Sequence, residues 1–331
     1  MTPLRKLPEP VQRVVTTSLF AEFATLTCSG VPIDTPIYCF PSDDLATIDL
    51  ATGLAYPAKA ERARRDPRVG LLMEGPDGGP VVAIAGRAAV RDADLQSNAV
   101  RYLAETGLMP PNGDPWDVAR HAVWYWTRII VSVTPAKILW WDSVSEMDGP
   151  PQRWEAGPDA VYPDSDPAPS GRVSSPASWP LHPWRELASA AMVRRDPAHV
   201  TLCDGDGYPM PFRASTVEMR DDGFELTFPS GLPWAGGGKS SLTFRGLETF
   251  LGRASIDGKN VHFAVERALP QHPMMVDPRE ITGPGPATKD QLMRRLREET
   301  ARRNQVIPTI PEEQPALTSL AKLRAAQLAG G

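Results

Sequence analysis

No run of about 18 apolar residues occurs in the sequence, so no segment reads as a membrane-spanning helix. The opening, MTPLRKLPEP, lacks the apolar stretch of a signal peptide, and a cytoplasmic protein that does not engage membranes is expected. Cysteine is scarce: Cys28, Cys39 and Cys203 are odd in number and form no CxxC, which argues against a disulfide framework or a zinc cluster and leaves buried thiols as the expectation. The five histidines, His121, His182, His199, His262 and His272, make no HxxxH or HxH pairing with a carboxylate, so no metal site is expected. A Gly-x-Ser-x-Gly elbow is also missing, and no cysteine sits beside an evident base, which argues against a hydrolase. Nor is there an excess of positive charge: the net charge of −5 gives no general attraction to nucleic acid, and anion binding has to come from a local cluster.

What the chain does contain is the balance of a soluble globular protein, with 41% hydrophobic and 23% charged residues over 331 positions, enough for two ordinary domains. Between about Asp142 and Pro183 the composition turns to Pro, Gly, Ser and Asp, a mixture that does not sustain helix or sheet for long. The expected organisation is a first domain over 1–142, a linker over 143–182, a second domain over 183–284 and a helical tail over 285–331.

The segments on either side of the linker resemble each other in order. ATLTCSGVPIDTPIYCF from Ala24 and HVTLCDGDGYPMPFRAS from His199 each read as a β-hairpin with glycine at the turn. VVAIAGRAAVRD from Val81 and ETFLGRASIDG from Glu248 share Gly-Arg-Ala inside a strand pattern, and RIIVSVTPAKILWW from Arg128 parallels NVHFAVERALPQ from Asn260. Strands joined by tight turns predict a mainly β fold of two tandem small barrels with peripheral helices. Helices are expected over PVQRVVTTSLFAEF, YPAKAERARRDP, DLQSNAVRYLAETG and PWRELASAAMVRRDP, then over QLMRRLREETARRN behind a Thr288–Gln291 capping box, and around Leu317–Leu328.

The most informative stretch runs from Leu45 to Gly75, where a strand leads into a short basic helix. Lys59, Arg62, Arg64, Arg65 and Arg68 gather five cations. In a helix starting near Pro57, Lys59 and Arg62 share a face close to the positive helix start, an arrangement that suits a phosphate.

With Gly30-Val31-Pro32, Ile48 to Thr52, Lys59, Arg65-Asp66-Pro67-Arg68-Val69 and Gly86-Arg87-Ala88, the region from Phe20 to Asp142 resembles the pyridoxamine 5′-phosphate oxidase-like, FMN-binding split-barrel superfamily. The resemblance implies a flavin lined by Asp49, Leu50, Ala51 and Thr52, with Tyr56 beside it and Thr52, Lys59 and Arg62 near its phosphate. It implies a flavin-dependent oxidoreductase acting on a small molecule, with FMN as cofactor. A deazaflavin, or a non-catalytic flavin- or haem-binding role with His121 or His262 as axial ligand, stand as alternatives. Split barrels of this kind hold the flavin between two barrels, so either a homodimer or a pair built within one chain is implied. Pro57-Ala58-Lys59 departs from the polar cluster usual in that family, and no catalytic residue is singled out.

In the second half, PSGLPWAGGGKSSLTFRG replaces the basic helix. It is either an anion-cradling loop around Lys239, Ser240 and Ser241 or a plain loop, and it is not a P-loop. Of the aromatic residues, Trp124, Tyr125, Trp126, Trp140 and Trp141 flank one strand, and Trp141 at its end is the candidate stacking wall for a flavin.

Overall fold

A computed structural model of the chain describes residues 2–106, 115–174, 181–233, 236–271 and 283–329. His272, Trp234 and Ala235 lie outside the described residues. No helix among them is long and apolar enough to cross a membrane.

The chain is mainly β, in two barrel-like sheets with peripheral helices. The first is built from β1 (Phe20–Leu26), β2 (Pro32–Pro41), β3 (Ile48–Gly53), β4 (Arg68–Glu74), β5 (Val81–Arg91) and β6 (Arg128–Trp141). Their order is β3-β2-β1-β4-β5-β6, and β3 also pairs with β6, which closes the barrel. The hairpin turn between β1 and β2 places Gly30 at φ 75°, a conformation open to glycine. A seventh strand, β7 (Gln152–Glu155), pairs with the far end of β6, inside the stretch read as linker.

The second sheet comprises β8 (Ala198–Cys203), β9 (Pro209–Arg213), β10 (Thr216–Met219), β11 (Gly223–Thr227), β12 (Gly238–Phe244), β13 (Glu248–Asp257) and β14 (Asn260–Ala268). Its order is β10-β11-β14-β13-β12-β8-β9. This second sheet is a half-barrel, because no ladder joins the edge strands β9 and β10. Only Ala214 and Ser215 separate them, so the sheet curls until its two edges lie within the reach of that short link. β5 and β13, the two Gly-Arg-Ala strands, each carry a bulge just before the glycine, at Ala85/Gly86 and at Leu251/Gly252.

The helices are α1 (Glu9–Thr17), α2 (Ala58–Arg65), α3 (Leu95–Thr106), α4 (Trp116–Ala119), α5 (Val123–Trp126), α6 (Trp184–Arg194), α7 (Pro286–Arg302) and α8 (Ser319–Ala329). α7 begins at Pro286 behind Gly285, two residues ahead of Thr288, so the expected capping box lies inside the helix and does not start it. Cys39 is buried, Cys203 is partly buried and Cys28 is exposed in the β1–β2 turn, which corrects the reading of all three as buried thiols.

Strand alternation explains how the two sheets meet. One face of the first barrel points inward, with Phe23, Ile37, Leu50 and Leu71 in its core. On its outer face Leu72, Val81, Ala83, Ala85 and Trp141 join the core of the second sheet, where Phe224, Phe244, Phe250 and Phe263 are fully buried. Along the rest of that seam the polar residues of both sheets face each other. Arg213 meets Glu74 at 2.8 Å, Lys137 meets Asp204 at 3.0 Å, and Lys239 donates to the Ser29 carbonyl at 2.6 Å. Gly70 of β4 lies flat against the Pro209 backbone, with no room for a Cβ. Gly70→Ala is therefore expected to force the seam apart and lower unfolding stability by about 1–3 kcal/mol. An unchanged urea midpoint would contradict this packing.

Candidate functional site

α2 forms where Pro57 caps a run rich in Ala, Lys and Arg, and it ends at Asp66 ahead of Pro67. Ala60 and Ala63, three apart, bury themselves against the barrel, which turns Lys59 and Arg62 along the adjoining face. Lys59 Nζ donates to the Pro36 carbonyl at 3.0 Å, and Arg62 Nε donates to Thr25 Oγ1 at 2.7 Å. The five predicted cations thus part company. Arg64 is held by Asp92 at 2.6 Å and Arg68 by Asp66 at 2.7 Å, while Arg65 is exposed and donates to the Leu26 carbonyl. Among the described residues Lys59 and Arg62 have no carboxylate at ion-pair distance. Burial, and then the neighbouring Arg62, bring Lys59 down to about 8. Burial and Arg65 bring Arg62 down to about 10. Two cations that hold their protons this weakly would be relieved by an anion.

Beside them lies the polar part of the seam. His199 of β8 stands 3.5 Å from both Glu22 of β1 and Glu74 of β4, at the long edge of hydrogen bonding. Burial opposes its charged form, but the two carboxylates outweigh burial and hold His199 up at about 10. Asp34 of β2 is wholly buried, and neither carboxylate oxygen has a hydrogen-bond partner at good geometry. Burial and then Glu22 push Asp34 well above the usual carboxylate range, with His199, Thr201 and Lys59 opposing.

The run Asp49–Thr52 is divided by the pleat. Leu50 points into the barrel core and Thr52 shares its face, whereas Asp49 and Ala51 face outward. Asp49 is bound at 2.5 Å by Arg101 of α3. All four are at least 95% buried, which leaves little of their side-chain surface for a ring. Tyr56 lies under the Arg295 guanidinium of α7 at 5.2 Å, and Arg295 Nε donates to the Ala55 carbonyl at 2.6 Å, so the tail covers the β3–α2 turn. Trp141 does not join the group. It sits at the opposite end of β6 from Arg128, about 40 Å along the strand, and donates to the Gly149 carbonyl. The cavity between Trp141 and Phe212 holds about 50 Å³, too small for a flavin.

The structure therefore brings together Lys59, Arg62 and the turn around Tyr56, and it adds residues that the sequence reading missed: Asp34, Arg101, Arg128, His199 and Arg295. The phosphate end of a flavin fits the two unneutralised cations. Little of the side-chain surface of β3 between Asp49 and Thr52 is open to the ring. Lys239 and the buried Ser240 and Ser241 belong to β12 and do not gather around an anion cradle. Of the four described histidines, His121 and His182 are exposed, His199 is paired in the seam, and His262 is held by Asp222 at 3.1 Å.

No protein-family model matches the chain, and no curated protein matches it. Solved structures do. A pyridoxamine 5′-phosphate oxidase-related, FMN-binding protein from Nostoc punctiforme is 17% identical over 44% of this chain and 87% of its own, with a TM-score of 0.31. General Stress Protein 26 from Bacillus anthracis is 14% identical over 45% and 97%, with a TM-score of 0.30. An F420 reductase is 17% identical over 40% and 98%, also with a TM-score of 0.30.

The seam also sets a pH dependence. His199 is raised from 6.5 to about 10, so its contribution to stability is complete below pH 6.5 and is lost as the pH rises through 10. Burial works against the ionised form of Glu74, but His199 and Arg213 prevail and lower it from 4.5, so its contribution fades as the pH falls below that value. Urea midpoints of the wild type are expected to drop between pH 6.5 and 10, and those of His199→Gln to stay flatter. Parallel curves would show that His199 carries no charge in the seam.

Proposed function

We propose that this chain binds a phosphate-bearing cofactor of the flavin type, FMN in the first instance, with the phosphate held by Lys59 and Arg62. The observation that carries this reading is the pair of half-buried cations on α2, each holding its proton less firmly than usual, with no carboxylate partner among the described residues. Retaining such a pair costs stability, and a bound phosphate offsets that cost. The sequence resemblance of residues 20–142 to the FMN-binding split barrels supports the choice of flavin over other phosphates. A deazaflavin carries a phosphate as well and would meet the same two cations. When bound, such a cofactor supplies hydride or electron transfer, and the activity proposed is that of an oxidoreductase on a small molecule. The protein's part is to anchor the phosphate and to exclude water with the second sheet and α7. The four described histidines are exposed or already paired, which gives a haem role no support.

Absorption spectra of the purified protein, followed by FMN titration, test this reading. The wild type is expected to show the visible bands of an oxidised flavin. Lys59→Ala/Arg62→Ala is expected to bind at least about 100-fold more weakly, from two lost charge-assisted contacts, while melting near the wild-type temperature. A wild type that takes up neither FMN nor the deazaflavin, or a double variant that binds equally well, would refute it.

A further inference from the structure

Arg128 opens β6 opposite Gly53 and lies on the outer face of the barrel, the face that also carries Tyr38 and Phe20. The residue is 8% exposed. Its guanidinium carbon sits 4.4 Å from the ring centres of both Tyr102 and Tyr125. One Nη donates to the Tyr102 hydroxyl at 3.1 Å, and Nε is buried with no hydrogen-bond partner. Among the described residues no carboxylate lies at ion-pair distance from it. The Tyr125 hydroxyl stands 3.2 Å from that of Tyr38 and 3.4 Å from that of Tyr102, so three hydroxyls line up beside the guanidinium. Burial raises all three tyrosines, Tyr102 to about 12, so they remain neutral donors. Phe20, 51% exposed, packs on Tyr38 at 4.4 Å and leaves an aromatic surface open at the rim.

A buried guanidinium without a counter-charge is a stability cost that apolar replacement removes. A fork of N–H donors flanked by neutral hydroxyls matches a singly charged, planar acceptor better than a phosphate dianion. We propose that Arg128, with the hydroxyls of Tyr38 and Tyr125, receives the carboxylate of a flat substrate whose ring lies against Phe20 and Tyr38. This rests on the reading that the cofactor phosphate is held at Lys59. The charge of Arg128 is among those that weaken the hold of Lys59 on its proton, which places the two in one neighbourhood. The site thus divides its labour, with α2 taking the cofactor's phosphate and the start of β6 taking the substrate's carboxylate.

Benzoate is the probe and benzamide its neutral counterpart, titrated by calorimetry into the full chain with and without FMN. Wild type is expected to bind benzoate and not benzamide. Arg128→Met is expected to lose at least about tenfold in benzoate affinity while its melting temperature stays level or rises. Tyr125→Phe and Phe20→Ala should each weaken binding without unfolding the protein. Lys59→Ala/Arg62→Ala should keep benzoate binding in the absence of FMN, so that loss of the cofactor site and loss of this site are told apart. Absence of benzoate binding by wild type overturns the proposal, as does undiminished binding by Arg128→Met. A lower melting temperature in Arg128→Met without any benzoate effect would make the stacked arginine a structural pillar and overturn it equally.

Discussion

The contact on which the rest depends is the meeting of two outer sheet faces along the seam. Most two-layer proteins bury apolar faces and leave the polar ones to water. Here apolar packing fills only part of the junction, through Leu72, Ala83, Ala85 and Trp141, and the remainder is a polar patch where Glu22, Asp34 and Glu74 oppose His199 and Arg213. Because water is displaced there, every charge is answered by a neighbour or shifted toward neutrality. Lys59 and Arg62 stand beside that patch, half-buried and held by Pro36 and Thr25 of the first barrel.

A second constraint comes from the tail. Arg303 of the α7 terminus reaches Asp92 at 2.9 Å and Glu299 at 2.5 Å, and Arg302 reaches Glu299 at 3.0 Å and Glu61 of α2. Ser174, within the segment read as linker, donates its backbone N–H to Glu299 at 2.7 Å. Near its other end α7 lays Arg295 over Tyr56. The basic helix is therefore braced from behind by charges that are themselves paired, which separates the arginines that hold α2 in place from the two cations left for a ligand.

Much of the fold was legible because alternation and turn glycines are local signals. The hairpins from Ala24 and His199, the Gly-Arg-Ala strands and most of the longer helices fall where the pattern put them, but the helix expected over PVQRVVTTSLFAEF ends at Thr17, and Phe20 to Phe23 belong to β1. What alternation does not reveal is what a polar face looks at. His199 and Thr201 alternate with apolar residues as if they met solvent, yet they meet the first barrel. The same limit applied to the site. The spacing of Lys59 and Arg62 marked them as neighbours on a helix, whereas Arg128 has no local signature and became visible only when β3, β6, α3 and α5 were in place. Asp49–Thr52 read as one lining segment, and the pleat divided it between two faces. Trp141 ends a strand, but that end opens toward the second sheet's core.

The bracing of α2 by α7 links residues more than 200 positions apart, as in the pairing of Arg303 with Asp92. On the ribosome the first barrel is made first, yet its basic helix lacks its supports until α7 has emerged. Until α7 is made, the nascent barrel carries Glu61 and Asp92 without these arginine partners. α2 thus gains its arginine braces only after more than 200 further residues have been translated.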